Sequence, residues 1–223
     1  MGNGDAKSEI REVSDFSGVK NFGEIDVHIT MLQEDTEMPA RDLPSEVEVI
    51  CDSNLLEYIE IYTEDKTLRI DVQPLIEIDP QTRCVVEIRT TQIHSLSASG
   101  SGDIHSVGVT NDLRSIRSSG SGNVVVDAVH SESLNLSTHG SGDLKVAGKV
   151  RDLDLQTSGS GSIAARDLVT ETVRSRSSGS GDVEIYATAS VDVRTSGSGD
   201  VDIWGTSARR KTHRSGSGKI HFR

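Results

Sequence analysis

"SASGSGDIHSV", residues 97–107, is the stretch on which the fold turns. Taken alone, it has the composition of a flexible linker, or of a loop that cradles a phosphate or a calcium ion. Its Gly-Ser-Gly core returns six more times, with the first glycine at Gly100, Gly120, Gly140, Gly159, Gly179, Gly197 and Gly216. The intervals are 20, 20, 19, 20, 18 and 19 residues. A Gly/Ser linker has no reason to keep a period, nor to hold apolar residues at fixed offsets from each glycine.

Such offsets are present. The fourth and sixth residues after each first glycine are Ile104 and Ser106, Val124 and Val126, Leu144 and Val146, Ile163 and Ala165, Val183 and Ile185, Val201 and Ile203, Ile220 and Phe222. All but Ser106 are apolar. The residues between them, such as His105, Lys145, Glu184 and Asp202, are mostly polar, which is the period of two of a strand with one buried face. A second strand precedes each corner. Leu96, Ile116, Leu136, Leu155, Ser175, Val193 and Thr212 face inward there, alternating with Ser97, Arg117, Ser137, Gln156, Arg176, Arg194 and His213.

A unit of about 20 residues is too small to bury a core alone, yet it buries one by stacking on its neighbours. The reading is an all-β protein, a parallel β-helix or β-solenoid over residues 96–223, right-handed by the general chirality of parallel β-connections. At a strand spacing of about 4.8 Å, seven coils make a rod on the order of 30 Å long.

The glycine pairs Gly100 and Gly102, Gly120 and Gly122, Gly140 and Gly142, Gly159 and Gly161, Gly179 and Gly181, Gly197 and Gly199, and Gly216 and Gly218 are then structural turns. Glycine reaches positive φ without steric cost, which suits a tight corner. The serine between them (Ser101, Ser121, Ser141, Ser160, Ser180, Ser198 and Ser217) is small enough to stack, with a hydroxyl ladder between coils as the expectation. The next position, Asp103, Asn123, Asp143, Ser162, Asp182, Asp200 and Lys219, favours side chains that hydrogen-bond a turn backbone. Calcium-binding β-rolls repeat every nine residues, about half this period, and the acidic position here lapses to Asn, Ser and Lys. A phosphate loop opens a helix, whereas a strand follows here. No metal and no cofactor is expected.

Residues 10–95 lack the repeat but are β-rich. "GEIDVHITML" points Ile25, Val27, Ile29 and Met31 to one side, and "YIEIYTEDKTLRIDV" reads as two strands joined at Glu64 to Lys66. "CDSNLLEYI" suggests a short helix capped by Asp52 or Ser53. This acidic part is expected to pack on the solenoid and cap its open end, with residues 1–9 as a disordered tail.

The net charge of −12 conceals an asymmetry. Residues 1–96 carry 8 Lys and Arg against 21 Asp and Glu, whereas residues 97–223 carry 15 against 14. An acidic chain is a poor general binder of nucleic acid. No apolar run approaches the roughly 18 to 20 residues of a membrane helix, so no transmembrane segment is expected. The opening "MGNGDAKSEI" lacks the basic start and apolar core of a signal peptide, so an exported form would have lost its leader already. Cys51 and Cys84 are too few for a disulfide framework or a zinc site. Alternation turns both thiols toward a core, where a bridge and two free cysteines are equally open.

Parallel β-helices often act on polysaccharides, with clustered carboxylates and aromatic platforms in a groove. The repeat half has only Tyr186, Trp204 and Phe222 as aromatic residues, and Asp182, Asp200 and Asp202 read as a solvated turn column. The seven histidines share no ligand spacing. No catalytic residue is assigned. The candidate interaction surface is an outward stripe of Arg174, Arg176, Arg194, Lys211, His213 and Arg214, suited to an acidic glycan, a lipopolysaccharide phosphate, a surface protein or the acidic part of another copy in a homo-oligomer.

"REVSDFSGVKNFGEIDVHI", "CDSNLLEYIEIYTEDKTLRIDV" and the SGSGD-type repeats, in this order, resemble the bacterial GIN-head family, described as autotransporter adhesin heads. The resemblance spans about Arg11 to Arg223. It implies a β-helical, exported, envelope-associated protein and supplies no catalytic residues. The function expected is a non-enzymatic envelope binding or adhesion module. A self-assembling envelope scaffold is the alternative, and a polysaccharide-acting enzyme a more distant one.

Overall fold

The computed structural model describes residues 1–33 and 43–223. Its strands are β1 (Ala6–Ile10), β2 (Gly18–Asn21), β3 (Asp26–Met31), β4 (Glu46–Asp52), β5 (Ile59–Glu64), β6 (Thr67–Val72), β7 (Val85–Thr90), β8 (Ser95–Ala98), β9 (Ile104–Asn111), β10 (Ser115–Ser118), β11 (Val124–Thr138), β12 (Leu144–Thr157), β13 (Ile163–Ser177), β14 (Val183–Thr195), β15 (Val201–Trp204), β16 (Arg209–Arg214) and β17 (Ile220–Phe222). No helix among the described residues is long and apolar enough to cross a membrane.

Two parallel ladders meet at the GSG corners. The ladder before the corner runs β6, β2, β8, β10 and then through β11 to β14 to end at β16. The ladder after it runs β7, β3, β9 and through β11 to β14 to end at β15 and β17. Equivalent positions of the repeat sit opposite one another, as in Val124 beside Leu144 and Leu136 beside Leu155. The inward columns that the periodicity selects are buried from Leu96 and Ile104 through Val193 and Ile203. Only at the last coil does the core open, with Phe222 39% exposed. The β-solenoid is therefore as the repeat predicts.

The reason for the glycines differs from the expectation. None of the fourteen corner glycines has a positive φ; that conformation is used at Gly108 and Gly148 on a second corner, where the ladder register shifts. A Cβ on Gly120 would fall on the carbonyl oxygen of Gly100, and one on Gly122 on that of Gly102; the same holds up the stack. Close approach of coil to coil is what excludes a side chain.

The serine ladder also differs. All seven middle serines are exposed, and the bond between coils runs through the backbone instead, as from Ser121 N–H to Gly100 O at 3.0 Å. A side-chain ladder exists one step further on. Asp26 Oδ1 accepts from Asp103 N–H at 2.9 Å, Asp103 Oδ1 from Asn123 at 2.7 Å, and Asn123 Oδ1 from Asp143 at 2.9 Å. Asp143, Ser162, Asp182 and Asp200 continue it to Lys219 N–H at 2.7 Å. Each side chain holds the coil above, which is why acceptors recur there.

The N-terminal part departs most from its expectation. Residues 6–9, expected within a disordered tail, form β1 together with Ile10, antiparallel to β4, which is antiparallel to β7. β2 and β3 form a turn of the solenoid itself, directly beneath β8 and β9, and β6 and β7 run parallel beneath them in their turn. The hairpin β5–β6 forms with its turn at Asp65 and Lys66, both at positive φ. "CDSNLLEYI" gives only a 3-10 turn at Leu56–Tyr58, with no side-chain cap.

Asp52 has another task. Fully buried, it accepts from Thr82 Oγ1 at 2.7 Å, Gln81 N–H at 2.7 Å and Thr82 N–H at 3.3 Å. Burial works to raise its pKa, but these hydrogen bonds together hold the carboxyl below its ordinary value. Cys51 and Cys84, which oppose each other as the rung after Ile50 and Val85, are joined as a disulfide with Cα atoms 4.3 Å apart.

Candidate interaction surface

The ladder before the corner turns alternate side chains outward, so stacking converts one offset of the repeat into a straight column. Three rungs away from the first glycine, the register sets Arg176 opposite Arg194 and Arg194 opposite His213. Followed in the other direction, the same column continues through Gln156, Ser137, Arg117, Ser97 and Lys20 to Arg69. No carboxylate occurs in this series. The neighbouring outward column holds Asp154, Arg174, Asp192 and Lys211 in succession, so there the charges alternate.

The expected stripe therefore divides. Arg176, Arg194 and His213 share one column, and Arg174 and Lys211 share the next with Asp192 between them. Arg214 belongs to neither. It occupies the small-residue column that faces the corner, where Ser118, Thr138 and Thr195 sit in other coils, and donates from Nη1 to Gly218 O at 3.2 Å.

Asp154 lies 3.6 Å from Arg176 Nη1, while Asp192 lies 3.7 Å from both Arg194 Nε and Lys211 Nζ. These are loose, exposed pairs of small energetic weight. The guanidinium groups stay available to a further anion. Beside them runs a shallow groove of about 250 Å³, lined by Arg176, Arg194, His213, His139, Gln156 and the serines before each corner.

Arg117, Lys20 and Arg69 were missed as members of the basic column. Arg117 was legible, since it has the same offset from its glycine as Arg176. Lys20 and Arg69 lie outside the repeat, and Phe22 holds both by cation–π contact, with Lys20 Nζ 4.2 Å from the ring centre.

The other residues considered as chemical groups have structural partners. Asp182 and Asp200 belong to the coil-to-coil ladder, and Asp202 pairs with Arg223 at 2.8 Å. His28 and His105, which share no sequence spacing, lie opposite each other on β3 and β9. Each is bound to a carboxylate, Glu87 at 3.0 Å and Asp127 at 3.1 Å.

A parallel β-solenoid with a charged lateral face defines a class of repeat proteins that present extended surfaces. The chain belongs to the family described as "Putative auto-transporter adhesin, head GIN domain", whose model matches residues 15–207. The crystal structure of a "putative adhesin" from Bacteroides fragilis is similar at a TM-score of 0.90 and 23% identity, covering 98% of this chain and 97% of that one. One of a "putative adhesin" from Parabacteroides distasonis has a TM-score of 0.75 at 21% identity, covering 99% and 98%. A third, called a "putative lipid binding protein", also from Parabacteroides distasonis, has a TM-score of 0.72 at 23% identity, with the same coverage. These likenesses establish a shared fold. No curated protein matches the sequence.

Proposed function

We propose that the protein is a non-catalytic, exported binding module of the cell envelope, adhesin-like, that uses its lateral basic face to hold an acidic glycan or an acidic surface protein. The observation that carries this reading is the column from Arg69 to His213, in which cations recur along the solenoid without an intervening carboxylate. In a chain of net charge −12 such a column is a local exception, and it concentrates a field that attracts anions. Membership of the adhesin-head family supports the envelope location.

Arrays of acidic and neutral glycans, probed with the intact protein and with the Arg176→Glu, Arg194→Glu double variant, test the proposal. Selective retention on acidic glycans, reduced at least about tenfold in the variant, is the expected result. Equal binding by both proteins, or retention independent of glycan charge, sinks it. A scaffold that assembles end to end is the second reading: among the described residues β16 and β17 each have a ladder partner on one side only, although the cations of β16 oppose pairing there. Concentration-dependent light scattering separates the two.

A further inference from the structure

We infer that the basic face reads a linear acidic polysaccharide lying along the solenoid axis, with one sugar residue to each coil. This rests on the binding function proposed above and names its ligand. The register is unbroken on this ladder across four successive strands: Gln156 beside Arg176, then Arg194, then His213. Ser158, Ser178, Ser196 and Ser215 follow these strands directly, just before their corners, and also line the groove. Each of these four coils therefore presents a hydrogen-bond donor or cation and, two residues on, a serine hydroxyl to the groove, repeated at about 4.8 Å.

An extended acidic polysaccharide has a matching repeat. Each of its residues is about as long as one strand spacing, carries one carboxylate, and offers ring hydroxyls beside it. Carboxylates laid toward Arg176 and Arg194 accept charge-assisted bonds, and ring hydroxyls meet the serines. One such contact in water is weak because both partners are exposed. Contacts in register on one chain add, since each residue bound holds the next at high effective concentration.

The groove favours this ligand over an anionic lipid. Its lining consists of Arg, His, Gln, Ser and Thr, and none of the large exposed apolar residues borders it, so an acyl chain meets only the carbons of polar side chains there. It also has no Phe, Tyr or Trp ring on which a nucleic-acid base could stack.

The test is a length series. Oligogalacturonates of one to eight residues, cellooligosaccharides of the same lengths, and phosphatidylglycerol vesicles are titrated into the intact protein by calorimetry. Affinity for the acidic series should rise with each residue to about four, the number of coils that bring both a Gln, Arg or His and a serine to the groove, gaining at least about tenfold between dimer and tetramer. The neutral series and the vesicles should remain at background. Arg176→Gln and Arg194→Gln, checked for an unchanged thermal melt, should each weaken the tetramer more than the monomer. Affinity independent of length, or binding to vesicles in place of oligomers, overturns the inference. If galacturonates fail while the acidic-glycan array is positive, only this inference falls; if both fail, the binding function falls with it.

Discussion

The first and last coils of the solenoid break the repeat at different places. In the first, the corner is Gly23, Glu24, Ile25 and Asp26, set in register beneath Gly100, Ser101, Gly102 and Asp103. The second glycine has become isoleucine, yet the acidic position is kept. In the last, both Gly216 and Gly218 are kept, but the acidic position has become Lys219. The glycines look down the stack, because a side chain there would strike the carbonyl of the coil beneath. The carboxylate looks up, because it receives the N–H of the coil above. With no GSG corner beneath it the first coil is free of one demand, and the last described coil, with none of the described residues above it, is free of the other.

The ends are also closed differently. At the bottom, antiparallel strands cover the parallel edges, and Asp52 and the disulfide tie them to the loop at Gln81 and Thr82. At the top, Arg210 lies over the Phe222 ring with its guanidinium carbon 4.3 Å from the centre, and Arg214 binds the corner. Long charged side chains cover apolar surface while their heads discourage another strand from pairing.

The sharpest way to break the comparison is to place the same side chain on two glycines of one column. Gly120→Val should cost about 3 kcal/mol or more, or prevent folding, because its branched side chain has no space against the Gly100 carbonyl. Gly23→Val, where an added Cβ would meet Val72 Cγ2 at 3.7 Å, should stay within about 1 kcal/mol of the parent in urea denaturation. Equal losses at the two sites would show that the corner's own conformation, and not the coil beneath, selects glycine.

Acid should act on the bottom of the rod through Asp52. Its pKa is lower in the folded chain than in the unfolded one, so its stabilising contribution is complete above the ordinary aspartate range and is lost as the pH falls through the folded value. Urea midpoints at pH 6 and pH 3 should therefore differ less in Asp52→Asn than in the parent, with the variant already weaker at pH 6. An unchanged pH dependence would remove Asp52 from the account. The smallest effect belongs to the upward ladder. Asp143→Ala should cost about 1 kcal/mol or less by depriving Ser162 N–H of its acceptor, while Lys219→Ala should change nothing measurable. A larger loss at Lys219 would contradict the directional reading.

Much of the repeat half was legible because it is written at fixed offsets. Ile104, Val124 and Leu144 announce a buried column, and Arg117, Arg176 and Arg194 an outward one. Asp52 and Ser53 were misread as helix caps, since the loop that supplies Gln81 and Thr82 is nearly thirty residues away in sequence. Most of β1 reads as tail because "AKSEI" is exposed on its whole length and has no buried face, its place being fixed by backbone pairing to β4. Arg214 was placed in the stripe by charge alone, although a shift of one residue from His213 turns it toward the corner.

The sequence by itself determined the solenoid, its period, the inward columns and the sites where only glycine stands, because a stacked coil must repeat what its neighbour demands. Only the tertiary structure decided which cations share a face, that Lys20 and Arg69 extend that face, how the two ends are closed, and that glycine answers to a carbonyl below and not to its own φ. Those features depend on which residues lie one strand spacing apart, and across unlike segments no sequence interval encodes that distance.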